Sequence, residues 1–356
     1  MADQSQTPIE ILQKDIQSIQ SDLEKLQRDI RLTSVRDEVE DLDTEISGLP
    51  NKMHDLRQRG YVFGKAMEAK ADEMINRWHM LRPTIMTQIQ FQGQQLESEL
   101  PAVESKLSRL VGISSNVALA RPICKQLRSD VDILQGRASA VIQSIEGMYD
   151  KLKNELNSFK QNLQEVGWML TQIAEASFKL LPTEAGIMAV KAVWAPGGKE
   201  EKGDPEGVLY LTDQRLIFEQ KEEIATKKVL FVTTEKKKVQ EVKFETPVAL
   251  VEDVRTSRQG VFKNEDHLDL QLASGAPFRA IHIHIWQDCE RWKGLINRAV
   301  THDFEKDRAI ELDQAAVDRI KNAPTVCPSC NGAITQTILR GQDTIVCEYC
   351  GTVIRL

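Results

Sequence analysis

From Ile9 onward the apolar residues of this chain recur alternately three and four positions apart, at Ile9, Leu12, Ile16, Ile19, Leu23, Leu26 and Ile30. That spacing gathers a stripe on one side of an α-helix and on neither side of a strand, so the segment is committed to the a/d seam of a coiled coil. The phase slips after Ile30 and resumes at Leu32, Val35, Val39, Leu42, Ile46, Leu49, Met53 and Leu56, with Pro50 marking a kink or restart. Gly60 and Gly64, flanking Tyr61-Val62-Phe63, mark a turn. Two more helical stretches follow, one from Met67 to Ile85 and one from Leu96 to Leu110, with Pro83 and Pro101 read as kinks. The longest seam runs from Leu127 to Ile173. As one helix from about 123 to 180 it would reach about 85 Å at 1.5 Å per residue. Such a rod cannot bury its stripe alone, which predicts an antiparallel hairpin, self-association, or both. The low aromatic content, 5%, agrees with long helices that enclose little globular core.

Around Leu181-Pro-Thr-Glu-Ala-Gly186 the period changes from helical to alternating, which sets a boundary between a helical coiled-coil region, 1–182, and a β-rich domain, 183–300. Strand-like runs include Ile187 to Trp194, Gly207 to Thr212, Arg215 to Phe218, Val229 to Val232, Val242 to Phe244, Val248 to Val251, His267 to Leu272 and Ala280 to Ile285. Asp213-Gln214 fits a tight hairpin turn. The block closes with an amphipathic helix read as presenting Trp286, Cys289, Trp292, Leu295, Ile296 and Val300. About seven strands and one closing helix is the order of the pleckstrin-homology (PH) superfold. Within it, Gly207-Val-Leu-Tyr-Leu-Thr-Asp-Gln-Arg-Leu-Ile-Phe218 resembles the strand-turn-strand signature of GRAM domains. The resemblance covers roughly a third of the chain and implies docking to phosphoinositides, other lipids or protein segments. The helical rods also resemble those of bacterial phage-shock membrane-remodelling proteins, which implies polymerisation and lipid association.

Lys227, Lys228, Lys236, Lys237 and Lys238, together with Lys221, cluster around the third and fourth predicted strands. They form either a rim that attracts anionic headgroups, at up to about 1 kcal/mol per residue, or a solvated charged face, since Glu222, Glu223, Glu235 and Glu241 are interleaved with them. His282 and His284 share one face of the last strand, opposite Ile281, Ile283 and Ile285. With no third ligand readable nearby, they are read as exposed strand positions.

The last thirty residues carry Cys327-Pro-Ser-Cys330, sixteen intervening residues, then Cys347-Glu-Tyr-Cys350. Two CxxC pairs at this separation can wrap one Zn2+ tetrahedrally, with Cys327, Cys330, Cys347 and Cys350 as its four ligands. Gly332 and Gly351 are placed where each knuckle turns back. The apolar residues here are too few for this segment to fold without a staple, so metal binding is expected to be folding. No secretory leader or apolar run of transmembrane length is readable, which favours metal over disulfides and a cytoplasmic, peripherally membrane-associated location. The segment, 327–356, resembles the zinc-ribbon family, which binds nucleic acids or proteins. Four thiolates leave no open position, so the ion is structural.

Residues 301–326 read as a helical linker that tethers the ribbon. The architecture expected is therefore multidomain α+β: a long N-terminal coiled coil, a PH/GRAM-like domain with its closing helix, and a C-terminal zinc ribbon. No nucleophile–base constellation or phosphate-cradling glycine loop is readable, so the chain is expected to be a non-enzymatic, homo-oligomeric adaptor or scaffold that docks to an anionic membrane or a protein and recruits a protein through the ribbon. The alternatives are a nucleic-acid-associated factor, against which the net charge of -7 and a ribbon with only Arg340 and Arg355 both argue, and a purely structural filament or shell component.

Overall fold

Thr7 starts the first helix. Its hydroxyl accepts from the Glu10 amide while the Glu10 carboxylate accepts from the Thr7 amide, a reciprocal cap that satisfies two otherwise orphaned donors. The computed structural model describes residues 7–229, 232–260, 262 and 264–356, except for the side chains of 224–237. Five helices follow in order: α1 (Pro8–Ile30), α2 (Thr33–Ser47), α3 (Leu49–Gln58), α4 (Met67–Gly112) and α5 (Val117–Glu175). The slip after Ile30 is a physical break, because Leu32 adopts a left-handed conformation (φ 52°) with its side chain fully buried. Pro50 sits in the first turn of α3, where its missing N–H costs nothing. The two stretches read on either side of Leu96 are one helix, α4, with Pro83 and Pro101 inside it.

The chain divides into two compact units, residues 1–50 with 69–159 and residues 51–68 with 160–356. In the first, polar contacts fix how the helices run. Gln27 donates to Glu104 and Trp78 Nε1 to Asp43, so α1 and α2 lie antiparallel to α4. Gln135 donates to Asp29 and Tyr149 to Glu38, so they lie parallel to α5. The seam residues Leu12, Ile16, Ile19, Leu23 and Leu26 are buried within this one chain, as are Leu127, Val131 and Leu134. The physical reason for expecting self-association therefore lapses: the stripe already has its cover.

In the second unit seven antiparallel strands form one sheet in the order β4-β3-β2-β1-β7-β6-β5. They are β1 (Gly186–Ala195), β2 (Glu206–Thr212), β3 (Arg215–Val229), β4 (Val232–Pro247), β5 (Val251–Gln259), β6 (Glu265–Leu272) and β7 (Ala280–Ile285). Helix α6 (Cys289–Val300) follows, with Trp292, Ile296 and Ala299 buried and Asp288 as its cap. This succession of strands and one closing helix is PH-like. The runs Arg215–Phe218 and Val242–Phe244 belong to the longer β3 and β4, Leu230 and Phe231 of the run Val229–Val232 lie outside the described residues, and Val248–Leu250 is a short 3-10 turn. Trp286 lies outside α6 and is exposed: its spacing from Cys289 mimics a helical repeat, but Asp288 caps the helix and the chain before it is not helical. His282 is buried and His284 partly so, against the expectation that both are exposed.

No helix among the described residues is long and apolar enough to cross a membrane. Helix α7 (Gln314–Lys321) and the hairpin β8 (Thr344–Val346) with β9 (Val353–Arg355) complete the fold.

Candidate metal centre and its docking surface

Each cysteine knuckle closes with the same pair of backbone bonds. The Cys327 amide donates to Gly332 O at 2.8 Å and the Asn331 amide to Cys327 O at 2.9 Å; the Cys347 amide donates to Thr352 O at 2.9 Å and the Gly351 amide to Cys347 O at 2.9 Å. The residue after each second cysteine is left-handed, with φ 56° at Asn331 and 72° at Gly351. Asparagine is among the few non-glycine residues that tolerate this region. The turn residue of the first knuckle is thus Asn331, not Gly332. Gly332 instead makes room for a ring, since a Cβ there would lie 2.6 Å from Tyr349.

These two equivalent turns bring the Sγ atoms of Cys327, Cys330, Cys347 and Cys350 within 4.8 Å of one another. Cys327 Sγ lies 3.7 Å from Cys350 Sγ, and Cys330 Sγ lies 3.7 Å from Cys347 Sγ. A tetrahedron of sulfurs about 2.3 Å from a central ion has edges of about 3.8 Å. The donor set therefore fits a single thiophilic ion. Beneath it only Ile345 and Ile354 join Cys327 and Cys347 in a buried cluster, with Ile334, Ile338 and Leu356 at its edge.

The segment between sheet and ribbon is anchored at several points. Residues 307–310 run beside the Gly60–Gly64 turn: the Lys65 amide donates to Asp307 O at 3.0 Å and the Ala309 amide to Val62 O at 2.8 Å. Phe63 packs edge-on against Phe304 at 5.6 Å, with the Arg308 guanidinium 4.9 Å from the Phe63 ring centre. Arg57 closes the turn by donating to Tyr61 O and Gly64 O and forking onto Glu68 at 2.8 and 3.1 Å.

The ribbon itself is latched to the β2–β3 turn, the part of the sheet that carries the GRAM-like residues. Gln214 and Arg340 exchange two bonds, the Gln214 side-chain amide donating to Arg340 O at 2.9 Å and the Arg340 amide donating to Gln214 Oε1 at 2.5 Å. The buried Asp213 carboxylate accepts from the guanidinium groups of both Arg340 and Arg308, and from the Ala185 amide at 2.9 Å. Burial pushes the Asp213 pKa upward, while the Ala185 amide and the two guanidinium groups pull it back. Glu305 pairs with both arginines at 3.1 Å and completes the network. Gly341, at φ 88°, is required here twice over, because a Cβ would also lie 2.1 Å from Pro182 O. Next to Gln214, Arg215 is nearly buried, holding Glu184 at 2.7 Å and Glu245 at 2.6 Å.

Of the lysines, Lys238 is exposed, whereas the side chains of Lys227, Lys228, Lys236 and Lys237 lie outside the described residues. All five belong to one piece of backbone. Strand β2 pairs only with Leu216–Gln220 of β3, yet β3 and β4 stay paired out to Val229 and Val232. Residues 221–229 and 232–240 therefore extend beyond the edge of β2 as a two-stranded arm. Lys221 at the base of this arm is held by Glu175 at 2.8 Å and Gln172 at 3.0 Å.

No protein-family model matches the chain, and no curated protein matches it. Solved structures similar to it include the DH/PH domains of PDZ-RhoGEF in complex with GTP-gamma-S activated RhoA, at 10% identity over 83% of this chain and 94% of that one with a TM-score of 0.24. The DH/PH domains of p115-RhoGEF are 12% identical over 82% and 94%, with a TM-score of 0.22. A DUF1696 family protein with a pleckstrin-homology domain from Shewanella loihica is 14% identical over 41% and 91%, with a TM-score of 0.18. The sheet is PH-like in its own strand order and its closing helix.

Proposed function

We propose that the chain is a non-enzymatic adaptor whose PH/GRAM-like sheet docks to an anionic membrane surface, while a structural zinc ribbon offers a protein-recruiting face. The observation that carries this reading is the β3–β4 arm, which beyond Lys221 concentrates five lysines against three glutamates between residues 222 and 240. A narrow two-stranded arm lets its lysines approach a surface together, each contributing up to about 1 kcal/mol within a Debye length of anionic headgroups. Cys327, Cys330, Cys347 and Cys350 would hold one Zn2+, which supplies the fold of the ribbon and no reaction, since all four positions are taken by thiolate. The nucleic-acid alternative loses support, because Arg340, one of the two ribbon arginines, is committed to Asp213 and Glu305. Oligomerisation, if the adaptor uses it, would draw on surfaces other than the buried seam.

Co-sedimentation with neutral and anionic vesicles across a salt series tests the docking claim, with triple charge reversal of Lys236, Lys237 and Lys238 as the matched variant. Pelleting only with anionic vesicles, weakened by salt and by the reversal, is the expected result. Pelleting that ignores vesicle charge, or survives the reversal, would move the docking surface elsewhere.

A further inference from the structure

A second cluster of metal-ligating side chains sits on the sheet, remote in sequence from the ribbon cysteines. His267 of β6 and His284 of β7 are direct cross-strand partners, and their rings stack at 4.7 Å with planes 19° apart. Glu200, from the loop between β1 and β2, reaches over them and places its Oε2 at 2.9 Å from His284 Nδ1. One ligand atom from each of Glu200, His267 and His284 lies within 4.8 Å of the others.

The tautomer of His267 can be worked out from its neighbours. Asp269 Oδ1 lies 2.5 Å from His282 Nδ1, and a carboxylate can only accept, so that nitrogen carries the proton. In the neutral imidazole His282 Nε2 is then a bare lone pair, and it lies 3.2 Å from His267 Nδ1, which therefore donates. This leaves His267 Nε2 unprotonated. The side chain is 2% exposed, and this nitrogen has no hydrogen-bond partner. The nearest carboxylate oxygen on its own strand, Glu265 Oε2, is 3.9 Å away and could offer it no proton in its ionised form. A buried lone pair without a donor is costly. The partner that satisfies it is a cation. The Asp269–His282–His267 relay is the outer-shell support that fixes a ligating imidazole and raises its basicity.

We propose that Glu200, His267 and His284 form a binding site for a divalent transition-metal ion of the zinc class, with coordination positions left open to solvent. Two imidazoles and a carboxylate are the donor set such ions take when they retain exchangeable positions. The site opens on a cleft of about 500 Å³ lined by Glu265, Asp266, His284, Trp286 and Asp288, of which Arg258 pairs with Asp266 and Asp288. Trp286, exposed beside the cleft, stacks on His284 at 4.4 Å and walls one side of the entry. Because its ligands come from the sheet and its loop, the site is independent of the reading given to the ribbon.

The test is calorimetric titration of Zn2+ into the full chain after dialysis against a weak chelator, with metal content measured before and after. The expected result is one further ion per chain beyond whatever the dialysed chain retains, with affinity lowered at least tenfold in Glu200→Gln and the added ion lost in His284→Gln. Glu200 is exposed and His284 partly buried, so circular dichroism checks that the sheet is intact in both variants. The proposal is overturned if no further ion binds up to millimolar Zn2+, or if both variants bind it as the unaltered chain does.

Discussion

The helical unit and the ribbon solve the same problem of holding a fold together in opposite ways. In the first, each leg carries its own apolar stripe, and burying Leu12, Ile19, Leu26, Trp78 and Leu127 against neighbouring helices distributes the stabilisation over dozens of side chains. In the ribbon, four buried residues, two of them cysteines, make up the whole core, and a charged latch at Asp213 holds it to the sheet. Stabilisation spread over a seam should degrade gradually under substitution. Stabilisation concentrated in one ion and one latch should fail at once.

The largest expected effect follows from that contrast. Replacing Cys327 and Cys347 together by Ser should release the metal and unfold 327–356 while leaving the helical circular dichroism signal essentially unchanged. Metal content and proteolysis of the ribbon are the measurements. A cut in the seam should behave differently: Trp78→Ala removes a fully buried side chain and its bond to Asp43, and should lower the stability of the helical unit by about 3–5 kcal/mol in denaturant melts without abolishing its fold. Next, Arg340→Ala leaves Asp213 with one guanidinium partner and should cost about 1–3 kcal/mol in the stability of the docked ribbon. The zinc content should be retained.

The smallest effect concerns the Gly60–Gly64 turn. The Arg57 fork holds the Glu68 carboxyl below its ordinary range. A depressed folded pKa means that the stabilisation is present above the unfolded value of about 4.3 and is lost as pH falls through the folded one. Acid melts of Glu68→Gln should show a shallower fall in stability over that window than the unaltered chain.

Periodic signals were the easiest to read from residues alone. The seams from Ile9 to Leu56 and from Leu127 to Ile173 give helices because a three-four alternation has no other consistent burial, and the two CxxC pairs meet because equal knuckles have equal turns. What escaped the sequence is whatever depends on distant partners. Arg340 and Asp213 are 127 residues apart, and an arginine near a ribbon reads as a free surface charge until the turn it docks against is known. His267 is separated from Glu200 and His284 by loops whose lengths carry no information about register, so the cluster of Glu200, His267 and His284, which leaves out His282, could not be read. The stretches from Met67 to Ile85 and from Leu96 to Leu110 read as two, yet α4 joins them and runs through Pro83 and Pro101, since packing along a long helix outweighs two missing hydrogen bonds. The signal that could have flagged the latch was composition: Thr212-Asp213-Gln214-Arg215 is more polar than a hairpin turn needs to be.

Hydrogen exchange on the zinc-loaded chain, comparing it with Asp213→Asn, tests most directly the claim that the ribbon is a metal-stapled body latched to the sheet. The latch predicts that the Arg340 amide is protected in the unaltered chain and exchanges at least tenfold faster in Asp213→Asn, while the Cys347 and Gly351 amides of the knuckle remain slow in both. Equal exchange at Arg340 in the two proteins would show that Asp213 does not hold the ribbon, and fast exchange throughout the knuckles would show that no ion staples it.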